Sequence, residues 1–293
     1  IKFKDYDKFI KNYKTKSTQI KTITVGNLSV ISGNVIDIRK KLVVFGPIND
    51  EKKLEELKLK LYLQLKLKTE VYSELESYPS GEIFIYHNDK EIDSSQNVYK
   101  MLGEDIQFVN ISYGYESKIK HTVTFEGSIY FSINFQGNIS ITNELEIETL
   151  LKGIVPSEIY ASAHLEALKA QTIAARTDIL SKIGSRHFLD PYYICSNVHC
   201  QAYKGKMNEH ERTNQAIKET QGEVLIDNEG IIDAFYSANS GGHTENNENV
   251  WLSRASISLR GRDDFIDWEN SGKFIVGINE KNIKDFIDNP PKT

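Results

Sequence analysis

An α+β fold is predicted by three features of this 293-residue sequence. Strand-like stretches broken by Gly-Asn turns dominate up to about residue 134. One amphipathic helix interrupts them after Asp50, with Leu54, Leu57, Leu61 and Leu65 on one face. Beyond Asn143 the apolar spacing lengthens to that of helices. Together these give a β-rich N-terminal part with one long helix, followed by a mixed helix and strand domain.

The elements follow in order. Residues 1–18 are rich in Lys and Tyr with weak periodicity and read as a lead segment. Strands are expected at 21–25, 28–32, 35–39 and 41–45, with Gly26-Asn27 and Gly33-Asn34 as turns. The helix opened by Asp50 runs to about residue 66. Further strands are expected at 69–74, 82–87, 105–111, 118–124 and 128–134. The segments Phe125-Glu126-Gly127-Ser128 and Gln136-Gly137-Asn138 fit hairpin connections. Asn143 with Glu146 has the spacing of a capping box, and Ile147, Leu150, Leu151 and Ile154 follow at helical intervals. Gly153 suits a helix C-terminal cap. Ser162 can cap the next helix, whose Leu165, Leu168, Thr172, Ala175 and Ile179 form one buried stripe. A loop-rich section at 184–206 carries both cysteines, and a helix at 209–220 comes next. Strands near 224–226 and 231–236, a Gly/Asn-rich loop at 239–249 and a short helix at 280–287 complete the reading. The domains expected are a lead at 1–18, a β-rich accessory or positioning domain at 19–118, and a catalytic-looking domain at 119–293.

Composition narrows the function classes. The net charge of -5 is small for this length and argues against nucleic acid as a partner. No apolar run approaches the roughly 20 residues of a membrane span. Two cysteines exclude a scaffold held by many disulfides. Cys195, His199 and Cys200 place soft and borderline donors at short spacing, and His187 is a fourth ligand in reach. The same residues also allow a Cys195–Cys200 disulfide or two buried thiols.

Glu158 sits between the two helices with apolar residues on both sides. Desolvation there raises a carboxyl pKa and suits a general acid. An ordinary glutamate favoured by the helix dipole is the plainer reading of that residue alone. Glu166 is the rival carboxylate, and a solvated pair with Lys169 accounts for it.

Several motifs in order resemble the SpoIID/LytB family of bacterial cell-wall proteins. The first is the segment from Leu151 to Glu158 with the Ala-rich helix from Leu165 to Thr177. The second is Cys195-Ser196-Asn197-Val198-His199-Cys200-Gln201-Ala202-Tyr203. The third is Phe235-Tyr236-Ser237-Ala238-Asn239-Ser240-Gly241-Gly242-His243-Thr244 with Asn249-Val250-Trp251. A weaker fourth is Ser258-Leu259-Arg260-Gly261-Arg262-Asp263-Asp264. Tyr160 stands where the family commonly has proline, and Asp178 where it commonly has tyrosine. The Gly/His-rich segment that usually closes the family's domain is not among these residues, so the domain reads as truncated at its C-terminal end.

The resemblance implies a peptidoglycan lytic transglycosylase acting outside the cytoplasm on glycan strands stripped of peptides. Sporulation engulfment is the setting of one branch. The other branch enhances a cell-wall amidase without cutting, which makes an amidase partner or a glycan-binding module the alternative. A membrane anchor would lie N-terminal to this sequence. Glu158 is then the general acid/base. One glutamate without an evident partner suits formation of a 1,6-anhydro end better than hydrolysis, which usually needs two carboxylates. The resemblance favours zinc at His187, Cys195, His199 and Cys200. It makes Arg176, Gln201, Tyr203, Tyr236, Ser237, Ser240, Gly241, Gly242 and Trp251 substrate contacts. Tyr203, Tyr236 and Trp251 would stack on sugar faces, although core packing explains such aromatics equally well. Arg176 would orient Glu158 or hold an N-acetyl or lactyl group.

Overall fold

The computed structural model of the chain describes residues 19–25, 28–31, 34–37, 39–65, 71, 77–111, 120–184, 186–187, 189–228, 230–251, 255–262 and 280–289. It is α+β, with helices and strands in small sheets. Two compact units are present: Ile1–Ile20, Phe45–Val71 and Tyr236–Thr293 form one, and Lys21–Val44 with Tyr72–Phe235 form the other. The lead at 1–18, most of the strand expected at 69–74, and Asp263 and Asp264 lie outside the described residues.

The first strands are those the turns announce. β1 (Gln19–Val25) pairs with β4 (Lys40–Gly46), and β2 (Leu28–Ile31) pairs with β3 (Asn34–Asp37). Helix α1 (Glu51–Leu65) begins where Asp50 Oδ1 accepts from the Lys53 amide at 3.1 Å, and Leu61 is its buried residue. β5 (Glu82–His87) forms a hairpin with β6 (Lys90–Gln96) through Asn88 and Asp89, both at positive φ. β6 has no apolar alternation, because nearly all of it is exposed, and only the turn residues announce it.

β7 (Val98–Leu102), β10 (Ser128–Ile133) and β11 (Ile139–Glu144) form a three-stranded antiparallel sheet with β10 in the centre. The β10–β11 turn at Gln136-Gly137-Asn138 is the expected one, fastened by Asn134 Oδ1, which accepts from the amides of Gln136 and Asn138. The Phe125–Ser128 segment is not a hairpin. β9 (His121–Phe125) pairs with β8 (Ile106–Ile111), so the chain changes sheets between Phe125 and Ser128. Gly127 makes that change at φ 85, where an added Cβ would meet the Glu144 carbonyl oxygen at 2.4 Å. The domain division proposed at 118/119 runs through this unit, where β7 pairs with β10.

Helix α2 (Ile147–Glu158) departs from the expected caps. Glu146 is the N-cap and makes no side-chain cap bond. Asn143 is used elsewhere: its Nδ2 donates to the Glu126 carbonyl at 2.8 Å, and its Oδ1 accepts from the Tyr203 hydroxyl at 2.9 Å. The helix also does not stop at Gly153. It continues through Pro156 and ends at Glu158, with the Ile159 amide donating to the Val155 carbonyl at 3.1 Å. Gly153 serves close packing instead. A Cβ there would lie 2.4 Å from the Gly205 carbonyl oxygen and 2.7 Å from a Tyr203 ring carbon.

Helix α3 (Leu165–Lys182) is capped by His164 and not by Ser162: His164 Nδ1 accepts from the Glu166 amide at 3.3 Å. Its stripe of Leu168, Thr172, Ala175 and Ile179 is buried as expected. Helix α4 (Glu211–Glu219) has the same histidine cap from His210. Leu151, Ile154 and Val155 of α2, Ala175 and Ile179 of α3, and Ile217 of α4 form one core cluster. Short strands β12 (Ile226–Asp227) and β13 (Gly230–Ile231) and helices α5 (Asn247–Trp251) and α6 (Ile283–Asp288) complete the described elements.

Gly153→Ala should lower stability by about 1–3 kcal/mol, the typical cost of overpacking, despite alanine's better helix propensity. Chemical denaturation checks this; an unchanged or raised midpoint would refute the close-packing account.

Candidate functional site

Glu158 closes α2, and Gln201 meets it from the loop that carries the cysteines. Gln201 Nε2 donates to Glu158 Oε1 at 2.7 Å, so the first and second motifs are joined by one hydrogen bond. Gln201 is 5% exposed, which makes it a fixed donor. Glu158 has an exposed surface, yet burial around its carboxyl pushes the pKa above the ordinary glutamate value. The Gln201 bond opposes that shift, the Asp178 charge adds to it, and Lys182 opposes it. Glu166 is the exposed partner of Lys169, as the sequence suggested.

Asp178 is the second carboxylate that the sequence reading lacked. It is 4% exposed, and burial raises its pKa although Lys182 Nζ donates to its Oδ2 at 2.5 Å. The signal was an Asp with Lys four residues later beside an apolar stripe, but that spacing also describes a solvated pair. Lys182 donates as well to the Cys200 carbonyl at 2.5 Å, and Arg186 donates to the His199 carbonyl. The cysteine loop is therefore held to the end of α3 through its own backbone.

Arg176 is fully buried and directs its guanidinium to the opposite end of α2. Its Nε and one terminal nitrogen donate to the two Glu148 oxygens at 2.9 and 2.7 Å, and the other donates to the Glu223 carbonyl at 3.0 Å. Glu148 and Glu158 are about 15 Å apart along the helix axis, so Arg176 is not brought to Glu158. Tyr203 has its hydroxyl on Asn143, its ring 6.0 Å from the Phe125 ring centroid, and its flank against the core cluster.

His187, Cys195, His199 and Cys200 come together with their ligand atoms all within 4.8 Å of one another. Both cysteines are free thiols, so the disulfide alternative is not formed. His199 Nδ1 lies 3.7 Å from Cys195 Sγ and 3.5 Å from Cys200 Sγ, and His187 Nε2 lies 3.2 Å from Cys200 Sγ. The donor set fits a metal on a further ground. His187 turns its other nitrogen to Asp190 Oδ2 at 2.8 Å, the outer carboxylate that commonly orients a ligating imidazole.

From Tyr236 on, the Gly-rich third motif belongs to the other unit. Gly241 and Gly242 take φ 70 and 89, and the turn is tied by Asn239 Oδ1, which accepts from the Gly241 amide at 2.7 Å. Ser240 Oγ accepts from the Gly242 amide at 3.3 Å, and Ser237 Oγ donates to the Asn239 carbonyl at 3.2 Å. The fourth motif closes on the third: the Thr244 and Arg262 backbones are joined at 2.8 Å, and Arg260 pairs with Glu248 and Asn247. Tyr236 and Trp251 are partly exposed, at 36% and 40%.

Residues 135–226 match the sequence model of the SpoIID family, described as Stage II sporulation protein. The chain is 39% identical over 113 residues to the amidase enhancer of Bacillus subtilis (strain 168), covering 39% of this chain and 15% of that protein. It is 32% identical over 130 residues to Stage II sporulation protein D of the same organism, covering 40% and 38% respectively. Against Stage II sporulation protein D of Bacillus amyloliquefaciens it is 29% identical over 153 residues, covering 47% and 44%. The chain thus spans less than half the length of each of these relatives. The matched residues form a SpoIID domain, which supports the resemblance to the SpoIID/LytB family. The matched region holds Glu158, Gln201 and all four Cys and His residues, and stops before the Gly-rich loop.

Because the four donors and Gln201 share one loop, removing a bound metal should loosen residues 187–203 more than the core. Metal-replete protein should carry about one divalent ion per chain, and Cys195→Ser should lower both metal content and melting temperature. Hydrogen exchange that leaves 187–203 as protected after chelation as before would contradict this coupling.

Proposed function

We propose that this SpoIID domain is a lytic transglycosylase that cuts peptide-free peptidoglycan strands outside the cytoplasm. The observation that carries the reading is Glu158 itself. It is a carboxyl with its pKa pushed up by burial, at the end of a rigid helix, held by a buried amide from the loop that carries the second motif. A general acid needs that combination of a retained proton and a fixed direction.

The chemistry follows from one residue in two protonation states. Protonated Glu158 gives its proton to the glycosidic oxygen leaving C1 of MurNAc, and the C1–O bond breaks. The C6 hydroxyl of the same MurNAc attacks C1, and the resulting carboxylate takes the hydroxyl proton. The products are a new GlcNAc hydroxyl and a 1,6-anhydroMurNAc end, with no water consumed. Asp178 does not recommend hydrolysis, since it is buried and ion-paired, unlike the solvated base that activates water in an inverting enzyme. Gln201 holds the carboxyl in place and, by donating to it, favours the charged form that accepts the proton.

The metal we assign is zinc, on two sulfur and two nitrogen donors. Four protein donors make it a structural ion, whose chemistry is to crosslink the loop behind Gln201. Residues such as Tyr236, Ser237, Ser240, Gly241, Gly242 and Trp251 remain our proposed glycan contacts, and Arg176 and Tyr203 act by supporting the fold around the acid. A second reading has its own support: the 39% identity with a protein named amidase enhancer favours a non-cutting partner of a cell-wall amidase.

Incubation with peptide-free glycan strands should release fragments with 1,6-anhydro ends. Glu158→Gln should reduce the rate at least about 100-fold while glycan is still bound. Ordinary reducing ends would mean hydrolysis, and binding without any cleavage would favour the amidase-enhancer reading. The sign of the pH effect is fixed. A carboxyl with a raised folded pKa contributes most to stability below its unfolded pKa, and that contribution is lost as pH rises through the folded value. Glu158→Gln should therefore not lower the melting temperature at pH about 7, and cleavage should decline on the alkaline side only above the ordinary glutamate range.

A further inference from the structure

One extended residue, Ile159, separates Glu158 from Tyr160. Ile159 is extended, at φ -135 and ψ 141, and its side chain packs against the core cluster. An extended residue holds its two neighbours about 7 Å apart along the backbone. Glu158 and Tyr160, both exposed, thus stand about 7 Å apart along the backbone. Tyr160 is 86% exposed, an unusual position for a large aromatic ring two residues from a desolvated acid.

The turn that presents it is rigidly built. The Ala163 amide donates to the Tyr160 carbonyl at 2.9 Å. From α4, the two terminal nitrogens of Arg212 donate to the Ala161 and Ala163 carbonyls at 2.6 and 2.9 Å. His164 then caps α3. The ring's anchor point is fixed while the ring itself is left uncovered.

We propose that Tyr160 is a sugar-stacking residue that binds the pyranose adjoining the bond Glu158 cleaves. The inference rests on the glycan-cutting reading of Glu158 and adds the residue that sets strand affinity beside it. The axial C–H face of a pyranose carries partial positive charge, and the face of the phenol ring is negative. The spacing of about two extended residues matches a neighbouring sugar and not the reacting one. No polar group of the strand need be read, so the contact suits a repeating glycan.

The test uses the full chain carrying Glu158→Gln, so that strands are bound and not consumed, with calorimetric titration of peptide-free GlcNAc–MurNAc fragments. Adding Tyr160→Ala should weaken binding about five- to tenfold, and Tyr160→Phe should stay within about twofold of the tyrosine form. The melting temperature should not move, since the ring touches no core. Cleavage by the unsubstituted chain is scored alongside. Tyr160-dependent binding without anhydro product would uphold the stacking role while refuting the transglycosylase reading. Equal affinity of the Ala and Tyr forms, or a Phe form as weak as Ala, would overturn the stacking role even if anhydro product forms. Absence of binding by every form would overturn both.

Discussion

The hydrogen bond from Gln201 Nε2 to Glu158 Oε1 is the constraint on which the site depends. It crosses 43 positions of sequence and ties the end of α2 to a loop with no regular secondary structure of its own. Such a loop holds a donor steadily only if it is fixed elsewhere. Three anchors do this: the His187, Cys195, His199 and Cys200 cluster, the Lys182 ammonium on the Cys200 carbonyl, and the Arg186 guanidinium on the His199 carbonyl. Both cations come from α3 or the turn after it, so the helix that buries the core also braces the loop.

On the other side of the bond, α2 is held by close approach. Gly153 brings it against Gly205, and Gly205 in turn sits at φ 59 against the Thr124 carbonyl, where a Cβ would come within 2.3 Å. Helix, loop and β9 are stacked with no side-chain thickness between them. Steric packing on one face and the anchored Cys/His loop on the other leave the Glu158 carboxyl little freedom. Preorganisation of that kind is what the proposed acid would need to serve both proton transfers.

Much of this was legible in the sequence, for identifiable reasons. Glu158 and the Cys/His cluster were readable because motif order and donor type carry chemistry directly. The first four strands and the stripe on α3 were readable because turn residues and apolar period mark them. The caps were not. Asn143 and Ser162 are common cap types, but Asn143 is drawn to the Glu126 carbonyl and the Tyr203 hydroxyl, and histidines at 164 and 210 take the capping places. Gly153 looked like a stop because glycine disfavours helix interiors, and only the approach of Gly205 explains it. The burial of Arg176, Thr177 and Asp178 was invisible because each satisfies its polar atoms with distant or one-turn partners that spacing does not reveal.

Burial around its carboxyl makes Glu158 keep its proton to higher pH than an ordinary glutamate. A carbon-13 NMR titration of the glutamate carboxyls, with the Glu158 signal identified by its loss in Glu158→Gln, measures this directly. The midpoint should lie above the usual value of about 4.3 and move higher still in Gln201→Ala, where the donor that favours the charged form is gone. A midpoint at or below the usual value, unmoved by the loss of Gln201, would contradict it.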